Sequence, residues 1–252
     1  MDNVNNVKFP PELFDFEGWS QIKRILIILA HPDDPDYFCG ASIARWTEVG
    51  HYVEYCLLTK GQKGIQNNDL KSNEISQIRM KEQECAADLL GVKKVEFLDY
   101  VDGEIIPDMK MKKEIVRIIR RSSPNIIVTS DPQNYFTENQ RINHPDHRSA
   151  GQVVVDSLYP AAGNGLYFKD LIENEQLKPV NVEELWVTAT NQPNLEIDMT
   201  SFFEKRFSAI LCHRSQVGND IPKIREHLWS RFKADSASEK KAYLEKFRRI
   251  KL

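Results

Sequence analysis

The sequence predicts an α/β fold built on a mostly parallel sheet. Short apolar segments, of the kind that form buried strands, alternate along the chain with segments whose apolar residues have helical spacing. No glycine- or serine-rich linker interrupts this alternation. Because strand–helix–strand units form right-handed crossovers between parallel strands, the order of the segments indicates one sheet covered by helices.

The predicted elements follow from composition and spacing. Apolar and β-branched runs predict strands at 24–30, 51–59, 95–98, 125–130 and 184–190. Helical spacing of apolar residues predicts helices at 40–49, 74–90, 109–121, 146–158 and 201–213. Gly50 and Gly91 are expected to end the first two helices, and Pro145 suits the first position of the fourth.

The domain organisation is predicted to be a single domain over residues 1–252. Its core is expected at about 22–216, followed by a basic helical tail at 222–252. The stretch 160–182 is irregular, but strands resume after it, so it is expected to be an insertion over the sheet. Together with the loop at 60–73 it is expected to set specificity, because loops at a sheet edge carry such variation.

Composition excludes several classes of protein. With 41% hydrophobic and 28% charged residues, the chain is neither largely disordered nor collagen-like. The net charge of −3 argues against a dedicated nucleic-acid binder. Residues 222–252 hold ten Lys/Arg against four Asp/Glu, so the preceding 221 residues carry −9. The aromatic residues of this tail are expected to pack inward, namely Trp229, Phe232, Tyr243 and Phe247.

Cysteine spacing and the N-terminal segment predict a cytoplasmic protein. The four cysteines form no CxxC pair, so four reduced thiols are expected, at Cys39, Cys56, Cys85 and Cys212. The N-terminal segment lacks the pattern of a secretory signal. The longest strongly apolar run, 25–30, is far short of the roughly 20 residues that span a bilayer, so no membrane partner is expected.

A first group of ionisable residues follows the first predicted strand directly, as His31-Pro32-Asp33-Asp34. In open α/β sheets ligands bind beyond the carboxyl ends of the strands. His31 and Asp34 can converge on one cation across the turn, whereas Asp33 should point elsewhere and is free to act as a base. The plainer alternative is a turn in which Asp caps the following helix.

A second group, His144-Pro145-Asp146-His147, follows the fourth strand and its loop. Two histidines and an acid within four residues are unusual in a chain with six histidines. With His31 and Asp34, one of these histidines completes a two-histidine, one-carboxylate site with an open position, the arrangement of catalytic zinc. Asp33 and the remaining histidine then provide hydrolytic groups.

Other functions are compatible with parts of the same pattern. Asp34-x-Asp36 could hold a divalent metal and a nucleotide-sugar diphosphate in a glycosyltransferase. The two-histidine, one-carboxylate set could hold Fe²⁺ for oxygen chemistry. A non-catalytic Rossmann-like sugar-binding protein is a further alternative, although no G-x-G-x-x-G follows the first strand.

Longer stretches of sequence carry a family resemblance. They are AHPDD at 30–34, HPDHRSAG at 144–151, RMKE at 79–82, LLGV at 89–92, LDYVD at 98–102 and HRSQ at 213–216. In this order and spacing the sequence resembles the LmbE-like, or PIG-L, N-acetylglucosaminyl deacetylases over roughly 24–216. LLGVKK and HRSQ most resemble the branch that includes the diacetylchitobiose deacetylases.

The resemblance implies a Rossmann-like three-layer sandwich and a zinc-dependent hydrolase that removes an acetyl group from an N-acetylglucosamine-type sugar or glycoconjugate. The metal would be Zn²⁺, with Fe²⁺ or another divalent ion as alternatives, and its bound water would attack the acetamide. The ligands it implies are His31, Asp34 and His147. Asp33 would be the general base and then the acid that protonates the amine.

The resemblance also implies supporting roles. His144 would stabilise the oxyanion, and Asp146 would orient the His144 ring and keep it protonated. Arg79 and Asp102 would contact sugar hydroxyls. Ile142 stands where some members have a carbonyl-polarising tyrosine.

The resemblance and the charge pattern together define the expected partners. The substrate is expected to be a small N-acetylated amino sugar, and the acidic body of the chain favours a neutral one. By analogy with the family, a homo-oligomer, a hexamer or trimer, is expected.

Overall fold

A seven-stranded sheet with helices on both faces organises the polypeptide. The structure is a computed structural model, and it describes residues 17–65, 69–137, 140–232 and 242–252. Its strands are β1 Arg24–Leu29, β2 Tyr52–Thr59, β3 Lys94–Tyr100, β4 Ile126–Ser130, β5 Glu184–Thr188, β6 Leu195–Asp198 and β7 Leu244–Lys251. Its helices are α1 Asp34–Glu48, α2 Ser72–Leu90, α3 Met109–Ser122, α4 Pro145–Asp156, α5 Lys169–Glu173, α6 Phe203–Ile210, α7 Arg214–Val217 and α8 Ile221–Phe232.

The strand order is β3-β2-β1-β4-β5-β7-β6. The first five strands in this order are parallel, and β7 runs antiparallel to both β5 and β6. The order in which strands are added to the sheet reverses between β1 and β4. From β1 the chain continues to β2 and β3 on one side, whereas β4 and β5 are added on the other side. Such a switch point opens a crevice at the carboxyl ends of the two strands, where ligands bind in folds of this kind.

The core lies on both faces of the sheet, because alternate side chains of a strand point to opposite sides. On one face Ile25, Ile27 and Leu29 pack with apolar side chains of α1, α2 and α6. On the other face Leu26 and Ile28 pack with those of α3 and α4. Both faces of β1 are therefore covered, which explains why it is a continuous apolar run. Among the described residues no helix combines the length and apolarity that crossing a membrane requires.

The predicted α/β fold with a mostly parallel sheet is confirmed, and five strands lie where their composition placed them. The predicted helix at 40–49 begins earlier, at Asp34, and the predicted insertion at 160–182 contains the short helix α5. Part of the predicted loop at 60–73, residues 66–68, lies outside the described residues.

The prediction of a helical tail at 222–252 is wrong for its last part, because β7 joins the sheet between β5 and β6. Residues 233–241 of this tail lie outside the described residues. Tyr243 and Phe247 are fully buried, as expected for inward-facing aromatic residues. Alternation of buried Glu245 and Phe247 with charged neighbours is a strand pattern, which the high charge of the segment obscured.

Glu245 of β7 also supports the helix that follows the first motif. Helix α1 is interrupted at Cys39, where φ is −146°. The peptide N–H groups of Ala41 and Ser42, at the start of the resumed helix, donate hydrogen bonds of 2.9 and 2.8 Å to the Glu245 carboxylate. A buried carboxylate therefore caps the second half of α1 in the place of the helix's own carbonyl groups.

The prediction of four reduced thiols is wrong for one pair. Cys85 of α2 and Cys212, just before α7, form a disulfide with a Cα–Cα distance of 6.0 Å. Cys39 and Cys56 are buried and free. A sequence separation of 127 made this pairing unpredictable; it arises because α2 packs beside the turn that connects α6 and α7.

Candidate functional site

The two motifs meet at the switch point of the sheet. His31 follows β1, and His144 and His147 lie at the start of α4, after the loop that leaves β4. Pro145 occupies the first turn of α4, and His144 is its N-cap, with Nδ1 accepting a 3.2 Å hydrogen bond from the N–H of Asp146. The three imidazoles have ligand atoms that lie within 4.8 Å of one another.

His31 is surrounded by three carboxylates. Its Nδ1 lies 3.4 Å from Asp34 Oδ2, and its Nε2 lies 3.2 Å from Asp102 Oδ1 and 3.1 Å from Asp146 Oδ2. Burial alone would lower the pKa of His31, but the hydrogen bonds to Asp102, Asp146 and Asp34 raise it to about 12. His31 therefore carries a proton when no metal is present.

Asp34 links His31 to His147. Its Oδ1 lies 3.1 Å from Nε2 of His147, and its Oδ2 also accepts a 2.9 Å hydrogen bond from the N–H of His31. Burial would raise the pKa of Asp34, but the two imidazoles hold it well below its usual value. Asp34 thus contacts both imidazoles, and imidazole and carboxylate groups are donors that suit a divalent metal. Besides the three imidazoles, a second group with ligand atoms within 4.8 Å of one another consists of His31, Asp102, His144 and Asp146.

The outer nitrogen of each candidate ligand has a fixed partner. Nδ1 of His147 lies 3.2 Å from the side-chain oxygen of Asn143, and Nε2 of His31 faces Asp102 and Asp146. Such partners orient metal-binding imidazoles and increase their basicity. Asn143 escaped sequence reasoning, although it precedes the HPDH motif and lies four residues before His147.

Asp33 points away from Asp34, as the sequence suggested. Its φ of +87° is unusual for a residue with a side chain, and such strain is typical of functional sites. Its N–H donates a 2.7 Å hydrogen bond to Gln83, and its Oδ2 lies 3.0 Å from a guanidinium nitrogen of Arg79. Burial raises the pKa of Asp33 to about 6, although Arg79 lowers it. With 28% of its side chain exposed, Asp33 faces the open cavity.

Arg79 is held inside the protein rather than at its surface. Besides Asp33, its guanidinium donates to the carbonyl oxygens of Pro32 (2.5 Å) and Gly61 (3.2 Å). A Cβ atom at Gly61 or Gly64 would lie 2.1 or 2.3 Å from Nη1 of Arg79. The two glycines therefore leave the space in which Arg79 reaches Asp33.

Arg79 and Asp102, predicted to contact sugar hydroxyls, make contacts within the protein, and their predicted role toward the sugar stays a prediction. Both side chains are buried, and Asp102 contacts His31 and accepts a 3.1 Å hydrogen bond from the N–H of Lys63. Sequence reasoning placed both residues at the site but did not assign their partners. Gln83, which contacts Asp33 and Asp36, was not among the predicted site residues. Its position four residues after Arg79, on the same face of α2, is the sequence signal that could have identified it.

The carboxylate of Asp146 contacts His31, and the hydrogen bond from Asp146 to the His144 ring comes from its peptide N–H. The carboxylate also accepts hydrogen bonds from the N–H groups of Gly103 (2.6 Å) and Ile105 (3.2 Å). Burial, followed by the nearby His31 and His147, lowers the pKa of His144. The exposed imidazole of His144 packs edge-on against His31 with a centroid distance of 4.7 Å.

Asp36 does not face the cavity, which removes the structural basis of a D-x-D metal site. It is fully buried, and its Oδ2 lies 2.9 Å from Nε2 of His213 and accepts a 2.7 Å hydrogen bond from Gln83. Asp36 and His213 thus form a buried pair beneath the site. His213, whose role the sequence left open, and Gln83 thus both contact the same oxygen of Asp36.

A cavity of about 1070 Å³ opens from the site. Its lining includes Asp33, Asp34 and His147 together with residues of α8. Phe38 packs edge-on against His147, with a centroid distance of 5.4 Å. Ile142, which replaces the tyrosine of some relatives, is 83% exposed and does not line the cavity.

Comparison with known proteins assigns the chain to a family. The model for PIG-L, GlcNAc-PI de-N-acetylase, matches residues 26–158. The diacetylchitobiose deacetylase of Thermococcus kodakarensis is 31% identical over 210 residues, which cover 83% of this chain and 76% of that protein. The 4-oxalmesaconate hydratase of Pseudomonas putida is 25% identical over 222 residues, covering 82% and 76%.

Solved structures give the same result. The N,N'-diacetylchitobiose deacetylase from Pyrococcus horikoshii, in complex with its inhibitor, is similar with a TM-score of 0.82 and 30% identity. The alignment covers 91% of this chain and 84% of that one. The family match spans both histidine motifs and the whole switch point between β1 and β4. The chain therefore belongs to the PIG-L, or GlcNAc-PI de-N-acetylase, family.

Proposed function

We propose that this protein is a metal-dependent deacetylase that hydrolyses the acetamide of an N-acetylglucosamine-type sugar or glycoconjugate. The observation that carries the proposal is the contact of Asp34 with both His31 and His147, beside a cavity that is lined by Asp33, Asp34 and His147. The deacetylase relatives, which act on diacetylchitobiose, support the substrate class.

His31, Asp34 and His147 are the residues that would hold the metal, zinc in the first instance. A bound divalent metal supplies Lewis-acid polarisation and lowers the pKa of water. Asn143 behind His147, and Asp102 and Asp146 behind His31, keep the two rings aimed at this point. The dense set of partners favours one fixed ligand geometry.

Asp33 is the proposed general base. It lines the same cavity as Asp34 and His147, so a water molecule held there would be within its reach. Arg79 fixes the carboxylate through one oxygen, Oδ2, and leaves the other oxygen to accept a proton. The same carboxyl group would then return that proton to the nitrogen of the leaving amine, as a positioned acid–base group does.

His144 is the proposed partner of the oxyanion. It lies beside His31 and His147 and has an exposed ring, while its Nδ1 accepts the N–H of Asp146. Its Nε2–H is then free to donate to a developing negative charge on the carbonyl oxygen. A neutral imidazole is sufficient for this donor role. His144 therefore does not need the Asp146 carboxylate, which contacts His31, to keep it protonated.

The test is an assay of free-amine release after metal analysis. The purified protein is assayed with N-acetylglucosamine, diacetylchitobiose and simple acetamides, and its zinc, iron and other divalent metals are measured. We expect amine from at least one sugar and loss of metal in His147→Ala. A protein that retains stoichiometric metal but releases no amine contradicts the proposal. In that event, hydration of 4-oxalmesaconate distinguishes the chemistry of the hydratase relative. Full metal retention in His147→Ala would remove His147 from the ligand set.

A further inference from the structure

A cationic stripe on α8 forms one wall of the cavity. Lys223, His227 and Arg231 follow at intervals of four residues, so their side chains lie along one face of the helix. All three are exposed, and all three line the cavity that also contains Asp33 and Asp34. Two permanent cations therefore face the interior of the same cavity as the candidate metal site.

The charges of this stripe are not neutralised by the part of the chain that the structure describes. Neither Lys223 nor Arg231 has an acidic side chain within ion-pair distance there. Lys246, which also lines the cavity, differs because it pairs with Glu196 at 3.3 Å. Asp220 lies at the start of α8, where its carboxylate accepts a 3.2 Å hydrogen bond from the peptide N–H of Lys223.

Tyr37 contacts two residues of the stripe. The guanidinium of Arg231 lies over its ring, 5.0 Å from the centroid, and Nε2 of His227 lies 3.3 Å from its hydroxyl group. Tyr37 follows Asp34 by three residues in α1, a rise of about 4.5 Å along the helix. Tyr37 therefore connects the stripe with the helical turn that carries Asp34.

The acids of the candidate site are each paired with cations, in contrast to the stripe. Asp33 pairs with Arg79, and Asp34 contacts two imidazoles. Among the described residues, the cavity lining thus combines Asp33 and Asp34, which have cationic partners, with Lys223 and Arg231, which have no acidic one; Asp220 is the acid of the lining nearest to the stripe in sequence. A cleft with one sign of charge on a wall concentrates ligands of the opposite sign.

We propose that α8 recognises an anionic group, a carboxylate or a phosphate, on the aglycone of the N-acetylglucosaminyl substrate. Lys223 and Arg231 are then specificity-determining residues, and Tyr37 positions the guanidinium. This inference rests on the proposed function, because it assumes that the acetamide lies at the candidate metal site. It replaces the neutral substrate that the acidic body of the sequence suggested, since the fold places basic residues of the tail inside the cavity.

The experiment uses substrates that differ only in charge. The probes are the 4-carboxyphenyl glycoside of N-acetylglucosamine and its methyl ester, with N-acetylglucosamine 1-phosphate as the phosphate arm. Values of kcat/KM for amine release are measured for wild type, Lys223→Gln and Arg231→Gln. Arg225→Gln is the matched control, because Arg225 lies on another face of α8, paired with Glu204. Dissociation constants of the same probes for Asp33→Asn give a readout that does not need turnover.

We expect wild type to favour the carboxylate over the ester by roughly tenfold or more, and each stripe variant to lose about tenfold on the carboxylate alone. Arg225→Gln should keep the preference, and added salt should reduce it. Equal kcat/KM for the acid and the ester overturns the inference and leaves the deacetylase proposal standing. An equal loss of kcat/KM on the carboxylate in Arg225→Gln likewise overturns the inference and leaves the deacetylase proposal standing.

Binding separates failure of the inference from failure of the proposed function. If no probe releases amine but Asp33→Asn binds the carboxylate more tightly than the ester, the anion site stands and deacetylation fails. If Asp33→Asn binds both equally, the anion site is refuted whatever the turnover. A preference for the 1-phosphate over the carboxylate would identify phosphate as the anion.

Discussion

The disulfide between Cys85 and Cys212 gives a prediction whose size follows from the chain itself. The bond joins α2 to the turn before α7 and closes a loop of 127 residues. In the chain-entropy treatment a cross-link over such a loop stabilises the folded state by about 5 kcal/mol at 25 °C, because it restricts the unfolded chain. Cys85 is exposed, so Cys85→Ser removes the bond with little loss of packing.

The assay is urea unfolding of wild type and Cys85→Ser, with and without a phosphine reductant. Without reductant, wild type should be more stable by about 5 kcal/mol, and with reductant the two proteins should coincide. Thiol titration of the denatured, unreduced wild type should find two free thiols, those of Cys39 and Cys56. Four titratable thiols, or equal stability without reductant, would refute the assigned pairing.

Three further predictions concern the site and its support. Gly64→Ala places a Cβ 2.3 Å from Nη1 of Arg79, so kcat/KM should fall about tenfold or more. Gly163→Ala, whose Cβ meets only ordinary contacts, should leave kcat/KM unchanged. An equal loss of kcat/KM in both variants would contradict the steric argument. Zinc must displace the proton that His31 holds with its raised pKa of about 12, so affinity measured by titration calorimetry should rise about tenfold per pH unit between pH 5 and 8. A pH-independent affinity would show that His31 is unprotonated. Glu245→Gln should lower the free energy of unfolding by about 3 kcal/mol in urea, because a buried charged acceptor of two N–H groups is lost, and an unchanged value would exclude this capping role.

Residues adjacent in sequence were the most predictable part of the site. His31 and Asp34 lie within four residues of each other directly beyond a predicted strand, and His144 and His147 lie equally close together after the loop that follows another. Because parallel strands end at the same sheet edge, the order of strands and motifs along the chain is enough to bring the two motifs together. Strands β1 and β4 were predictable for a related reason, since burial on both faces leaves a continuous apolar run.

Contacts between distant segments were beyond sequence reasoning. The pairing of Asp33 with Arg79, 46 residues away, depends on how α2 packs beside the loop that holds Gly61. Asp146 contacts His31 rather than its neighbour His144 because two peptide N–H groups fix its carboxylate. Nothing local in the sequence encodes such partners.

The C-terminal segment shows how composition can mislead. Its basic residues suggested a solvated helical tail, but β7 lies inside the sheet. Its buried residues alternate with charged ones, and one of the buried residues, Glu245, is itself charged. An acid at an inward position breaks the alternation of apolar residues by which a strand is recognised. The hydrogen bonds from α1 that stabilise the buried Glu245 carboxylate become evident only in the structure.

Asp33→Asn tests the central claim most directly, because it removes the proposed base and leaves the proposed ligands in place. Amine release from diacetylchitobiose, or from whichever sugar wild type prefers, is measured beside the metal content of both proteins. We predict unchanged metal content and a fall in kcat of roughly 10²–10⁴-fold. Near-normal turnover in Asp33→Asn would contradict the assigned role, since the proton would then be taken by another group.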